Sequence, residues 1–281
     1  MNEDALKDRL RVIAKDKAIS FNEVWKQLLL ERFLARLSRS IHCEKFIFKG
    51  GLLLSQIIPI GRETTDADFL MTKIKSTTSA LEEALRIVIS EQMSDGFNFE
   101  WSRIETLEQP HMEYPGFRVY FNAKFGKMKD KIHVDIGVGD LVDPIKEKFH
   151  LFEYKGKPLF DGEITLFTYP IETIFSEKLE TIISKGATNS RMKDYHDIIL
   201  IIRQSGLINS KLIKKALAAT FKHRKTDLRI PIEFDEHGIE GMQALWNNHL
   251  NGLGRFRQEL NLPESIETVI NEINEWMLRI T

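Results

Sequence analysis

Apolar residues recur at three- and four-residue intervals through the first forty positions, as at Val24, Leu28, Leu29, Phe33, Leu34 and Leu37. This spacing predicts two amphipathic helices over residues 4–17 and 21–40. Ser20 stands where an N-cap belongs, and Glu23 three positions on completes a capping box. The period then changes. FIFK (46–49) is a short apolar run of strand type that ends at Gly50-Gly51, and LLLSQII (52–58) suits about two turns of buried helix, stopped by Pro59 and Gly61. DADFLM (66–71) alternates and predicts a strand. Residues 78–93 return to helical spacing, while FNFEWSRIETLE (97–108), FRVYFNAKF (117–125) and KIHVDIGVGD (131–140) alternate apolar and polar residues as strands do. Pro115-Gly116 and the stretch from Gly126 to Asp130 supply turns between them.

Beyond Pro170 the spacing is helical throughout: 171–186, 191–206, 210–224, 238–253 and a last segment from Pro263 to Arg279, with glycines at several C-terminal ends. The pattern predicts an α+β chain, with a mixed first domain over residues 1–165 and a helical second domain over 166–281, joined near residues 155–170. The sequence has no internal repeat and no low-complexity linker.

Composition narrows the classes. With 281 residues, 42% hydrophobic and 29% charged, the chain is long enough to bury one large core or two ordinary ones. Cys43 is the single cysteine, so no internal disulfide forms, which fits a reducing cytoplasm. No run approaches the roughly 18 apolar residues of a membrane span, and the acidic N-terminus lacks the apolar core of a signal peptide. Neither export nor membrane insertion is expected. Net charge is -1, yet its distribution is uneven: residues 178–229 hold twelve Lys and Arg against four Asp and Glu, and residues 230–281 hold three against nine. The basic stretch suits a polyanion-binding face; equally, the two stretches suit complementary helical faces that pack together or stay solvated.

The chemistry concentrates between Phe46 and Met71. Asp66 and Asp68, two apart in a strand, point to the same face at roughly 7 Å. Carboxylates so placed share a proton or hold a cation. Asp135, flanked by apolar residues in IHVDIGV, predicts a third carboxylate inside a neighbouring strand. Mg²⁺ takes hard oxygen ligands together with substrate phosphates, and paired ions about 3.5–4 Å apart clamp both oxygens of an in-line displacement. Gly50 and Gly51 permit close backbone approach, and the helix that follows offers free N–H groups to a phosphate. A Gly-Gly pair also serves as a simple tight turn, and the two readings stand side by side at this point.

These residues resemble a family. KGGLLLSQIIPIGRETTDADF is similar to the first motif of the AbiEii-type toxins, members of the DNA polymerase beta-like nucleotidyltransferase superfamily, in which a Gly-Gly pair precedes an Arg-x-Thr-x-Asp-x-Asp segment, here Arg62, Thr64, Asp66 and Asp68. The superfamily often has Ser or Thr directly after the glycines, where this chain has Leu52; the phosphate contact then falls to backbone amides or to Ser55. SEKLETIISKGATNSRMKDYHDIILI resembles the family's Glu-Lys-Leu helix followed by Arg-x-Lys-Asp-x-x-Asp. The resemblance covers roughly residues 46–205. It implies a nucleotidyltransferase domain with a mixed sheet flanked by helices, followed by a helical domain that contributes Lys178 and Asp194 to the site.

By the same resemblance Asp66, Asp68 and Asp135 are metal ligands, with Mg²⁺ or Mn²⁺ as cofactor, and these three with Lys178 and Asp194 are the catalytic set. Gly50, Gly51, Ser55, Arg62, Arg191 and Lys193 bind the NTP, with Asp197 on the same helix face as Asp194. The activity implied is transfer of a nucleoside monophosphate from an NTP to an acceptor, an RNA such as the 3′ end of tRNA, by the toxin of a two-gene toxin–antitoxin or phage-defence system with a cognate antitoxin. An antibiotic- or protein-modifying nucleotidyltransferase and a catalytically silent nucleotide- or RNA-binding module are the alternatives; three charged residues inside apolar strands speak against the silent module. His196 is read as structural, His133 as facing away from the site, and Trp101, Trp246 and Trp276 as packing residues.

Overall fold

A computed structural model describes residues 1–107, 115–149, 152–160 and 162–280. The predicted strand end at Glu108 lies outside the described residues. The described chain divides into two compact units: residues 1–56, 63–140 and 144–169 form the first, and residues 57–62, 141–143 and 170–281 the second. It is an α+β protein built on a seven-stranded mixed sheet.

The first unit opens with α1 (Glu3–Lys17) and α2 (Phe21–Arg39). The Ser20 Oγ caps α2 by accepting from the Glu23 N–H at 3.0 Å. There follow β1 (Phe46–Lys49), α3 (Gly50–Ile57), β2 (Ala67–Met71), α4 (Thr78–Ser90), β3 (Phe97–Leu107), β4 (Gly116–Phe125) and β5 (Met128–Val138). β6 (Ile145–Phe149), the short β7 (Glu153–Tyr154) and β8 (Lys157–Pro158), and β9 (Ile164–Thr168) complete the unit. The sheet order is β3-β4-β5-β2-β1-β9-β6. β2 pairs with β1 antiparallel and with β5 parallel, which puts β2 at the centre of the sheet.

Period-two alternation divides this sheet into two faces. On one, Phe69, Phe99 and Phe121 surround Phe33 of α2 at centroid distances of 6.2, 6.4 and 5.3 Å, and all four are buried. α2 is buried on nearly all sides, including Arg36, whose guanidinium donates to both Asp95 oxygens at 2.9 Å and so ties the helix to the start of β3. The other face carries the half-buried residues of the central strands: Asp68 on β2, His133, Asp135 and Gly137 on β5, and Arg118 and Tyr120 on β4.

The second unit is helical: α5 (Ile171–Lys185), α6 (Met192–Arg203), α7 (Ser210–Arg224), α8 (Glu236–Gly252), the short α9 (Phe256–Leu260) and α10 (Ile266–Ile280). α5 packs against α6 and α7, while α10 packs against α6 and α8. The strongly amphipathic α10 buries Ile266, Val269, Ile270, Ile273 and Met277 along one stripe, as the three-and-four spacing requires. Among the described residues, no helix is long and apolar enough to cross a membrane.

Candidate active site

In the first unit, strand register gathers the carboxylates. Asp68 is the direct neighbour of Asp135 across the parallel β2–β5 pair and of Lys49 across the antiparallel β1–β2 pair. Asp66 lies one residue before β2 begins, so the strand predicted from DADFLM starts one position late. Ligand atoms of Asp66, His133 and Asp135 all fall within 4.8 Å of one another, and all three residues are half-buried. His133 therefore sits beside the carboxylates, contrary to the sequence expectation: residues 133 and 135 of one strand differ by the full period of two and share a face. Burial holds the His133 imidazole below its ordinary pKa, with Arg118 acting in the same direction and Asp135 and Asp66 opposing.

Gly50 is the counterpart of Asp68. Its φ is +79°, in the left-handed region, and a Cβ placed on it would lie 2.0 Å from Asp68 Oδ2. Glycine is required there on two grounds, the backbone conformation and the carboxylate that occupies the space a side chain would need. Gly51 and Ser55 belong to α3, and the Ser55 hydroxyl donates to the Leu52 carbonyl at 2.7 Å.

Arg118 was not singled out in the sequence. It faces Asp135 across the β4–β5 register and donates to both carboxylate oxygens, from Nε at 2.7 Å and from Nη2 at 2.6 Å. The bidentate bond holds the guanidinium still more firmly protonated than usual, although burial pulls the other way. Tyr120, next along β4, stacks near His133 at 5.7 Å and donates to Glu105 at 3.0 Å. The sequence signal was the alternation in FRVYF, which puts Arg118 and Tyr120 on one face; pairing with Asp135 needed the register.

The second unit holds a charged cluster of its own residues. Lys178 of α5 bonds to Asp194 at 2.9 Å and Asp197 at 2.8 Å, both on α6 one turn apart, and its side chain is 11% exposed. Arg62 donates to both oxygens of Asp197, at 2.9 and 2.7 Å, and Arg191 donates to Asp194 at 2.7 Å. Asp194 and Asp197 are fully buried. Burial alone would raise their pKa values, but the adjoining cations outweigh it, so both stay ionised. Lys193 points into solvent. Two of the three ammonium N–H groups of Lys178 are directed to these carboxylates, which leaves the third for another acceptor.

Beside this cluster, His196 Nε2 lies 2.8 Å from the Ile60 carbonyl and Nδ1 lies 2.9 Å from His249 Nε2. A carbonyl only accepts, so Nε2 carries the proton and Nδ1 accepts from His249. Burial pushes His196 down to about 4, and it serves as a neutral strut.

The family model described as nucleotidyl transferase AbiEii toxin, type IV TA system, matches residues 32–272. JHP933 from Helicobacter pylori is similar in structure at 15% identity and a TM-score of 0.43, covering 86% of this chain and 97% of its own. A second H. pylori chain, described as a candidate nucleotidyltransferase, is similar at 14% identity and a TM-score of 0.42, covering 86% and 98%. Among curated proteins, none matches the sequence significantly.

Proposed function

The chain belongs to the AbiEii nucleotidyl transferase toxin family of type IV toxin–antitoxin systems, and from that membership we propose that it transfers a nucleoside monophosphate from an NTP to the 3′ end of an RNA such as tRNA, with a divalent cation held at Asp66, Asp68 and Asp135. The observation that carries this reading is the convergence of Asp66, His133 and Asp135 ligand atoms within 4.8 Å on the polar sheet face.

The donor set fits the implied cation. Carboxylate oxygens are the hard ligands that Mg²⁺ and Mn²⁺ take, which leaves the His133 imidazole outside the donor set. When bound, such a cation neutralises phosphate charge and makes an attacking hydroxyl easier to ionise. The chain's own residues supply the rest. Gly50 admits the Asp68 carboxylate to a position that any side chain would block. Arg118 fixes the Asp135 carboxylate in one plane and brings to this face a planar cation suited to phosphate oxygens.

In the transfer, the acceptor hydroxyl oxygen bonds to the α-phosphorus as the bond to the bridging oxygen breaks, and pyrophosphate leaves with the electron pair. His133, which burial keeps neutral, accepts the hydroxyl proton. Little else is needed beyond positioning and charge neutralisation. The test is incubation with Mn²⁺ or Mg²⁺, total cellular RNA and each α-³²P-labelled NTP in turn, beside an Asp66→Asn, Asp68→Asn variant. Label in a tRNA-sized band with the wild type and none with the variant supports the reading. No labelled RNA with any NTP would sink it.

A further inference from the structure

α7 differs in kind from the other helices of its unit. Its fifteen residues contain no Asp or Glu, and Lys211, Lys214, Lys215 and Lys222 are all exposed. At 100° per residue these four and Ala218 fall on one stripe, opposite the buried Ile213, Leu217 and Thr220. Lys225, exposed at the C-cap, extends the stripe. From Lys211 to Lys222 it runs about 17 Å at 1.5 Å per residue.

A helix face that is merely solvated usually mixes signs, because lysines three and four positions apart repel while Glu–Lys pairs attract. Here the signs are segregated. α10 of the same unit carries Glu267, Glu272 and Glu275, yet the principal packing of α7 is on α5 and that of α10 on α6 and α8, so the basic and acidic stretches are not each other's main packing partners. Among the described residues, no carboxylate pairs with Lys211, Lys214, Lys222 or Lys225. Lys215 meets Asp143 at 2.6 Å, but that pair is largely exposed and readily exchanged for another anion. Ala218 and Ala219 leave the middle of the face low, so a backbone can lie close to it.

We propose that this lysine stripe of α7 is an RNA-binding surface that engages successive phosphates of the acceptor. The inference rests on the RNA-acceptor reading above and adds where the acceptor's backbone is held. RNA is favoured over an anionic membrane because the apolar side of α7 is buried in the unit and leaves little to insert into lipid beyond Leu212.

The test is binding of labelled total tRNA, by fluorescence anisotropy across about 50 to 200 mM salt, to the wild type and to the variant Lys211→Gln, Lys214→Gln, Lys215→Gln, Lys222→Gln. Each phosphate contact contributes about -0.7 to the slope of log K against log salt for a single strand. Losing four contacts flattens that slope by about 3, so over this range the wild type loses about 50-fold more affinity than the variant. NTP binding and the thermal midpoint should be the same in both proteins. If the wild type labels RNA and the variant binds RNA with the wild-type slope, the stripe is not the surface and the acceptor reading stands. If the wild type neither labels nor binds RNA, both fall. Wild-type binding to phosphatidylserine vesicles in place of RNA would likewise overturn the proposal.

Discussion

Replacing Gly50 with alanine should disable the site while leaving the protein folded. The backbone at φ +79° charges an L side chain about 1–2 kcal/mol. The larger effect is local. The new Cβ would lie 2.0 Å from Asp68 Oδ2, and since contacts under 3.0 Å essentially do not occur, the carboxylate must retreat by about 1 Å or turn away. A displacement of that size among positioned catalytic groups can cost about 100-fold in rate. We predict a loss of that order in NTP-dependent labelling of the acceptor, with the thermal midpoint lowered by only a few degrees. Gly156→Ala is the matched control: its φ is +72° and nothing lies within 4 Å of the added methyl, so it carries the backbone cost without the collision. Both variants would be assayed for pyrophosphate release and by thermal unfolding. Full activity in Gly50→Ala would refute the argument that the Asp68 position matters. Equal losses in both variants would show that strain alone was responsible.

Further expectations follow from the charged clusters. Lys178→Met would leave two buried carboxylates short of a cation and should cost about 3–5 kcal/mol in urea unfolding; a change under about 1 kcal/mol would contradict the pairing. Arg118→Met releases both Asp135 oxygens and should tighten Mn²⁺ binding in the absence of nucleotide, followed by electron paramagnetic resonance; unchanged or weaker binding would show that the guanidinium does not compete with the cation for this carboxylate. His196 should make the fold acid-sensitive. Its folded pKa of about 4 lies below the unfolded value near 6.5, so above pH 6.5 it contributes no pH dependence; as pH falls the unfolded chain takes the proton first, and about 3 kcal/mol is lost by pH 4. His196→Asn should flatten that part of the stability profile, and an unchanged profile would exclude His196 as its source.

Much of this architecture was legible in the sequence where one element suffices to determine it. α2 begins where its Ser20 cap and apolar spacing place it, and the central strands follow their alternation. β6 and β9 were not legible. IKEKF is four exposed residues and one buried, with no face to reveal it, and ITLFT becomes a strand by pairing with β1 and β6. At the site, the spacing of Asp66, Asp68 and Asp135 was readable; the same period of two also puts His133 on their side, and reading it as facing away was an error of that count. Arg118 and the Arg62–Asp197 bond were not, because the first depends on strand register and the second joins residues 135 positions apart.

The most direct test of the central claim is a stoichiometry: moles of pyrophosphate released against moles of nucleotide joined to RNA in one reaction with the preferred NTP. Transfer of a nucleoside monophosphate predicts one pyrophosphate per nucleotide incorporated, with both products lost together in the Asp66→Asn, Asp68→Asn variant. Release of phosphate or pyrophosphate with no nucleotide on the RNA, or incorporation that persists in that variant, would contradict it.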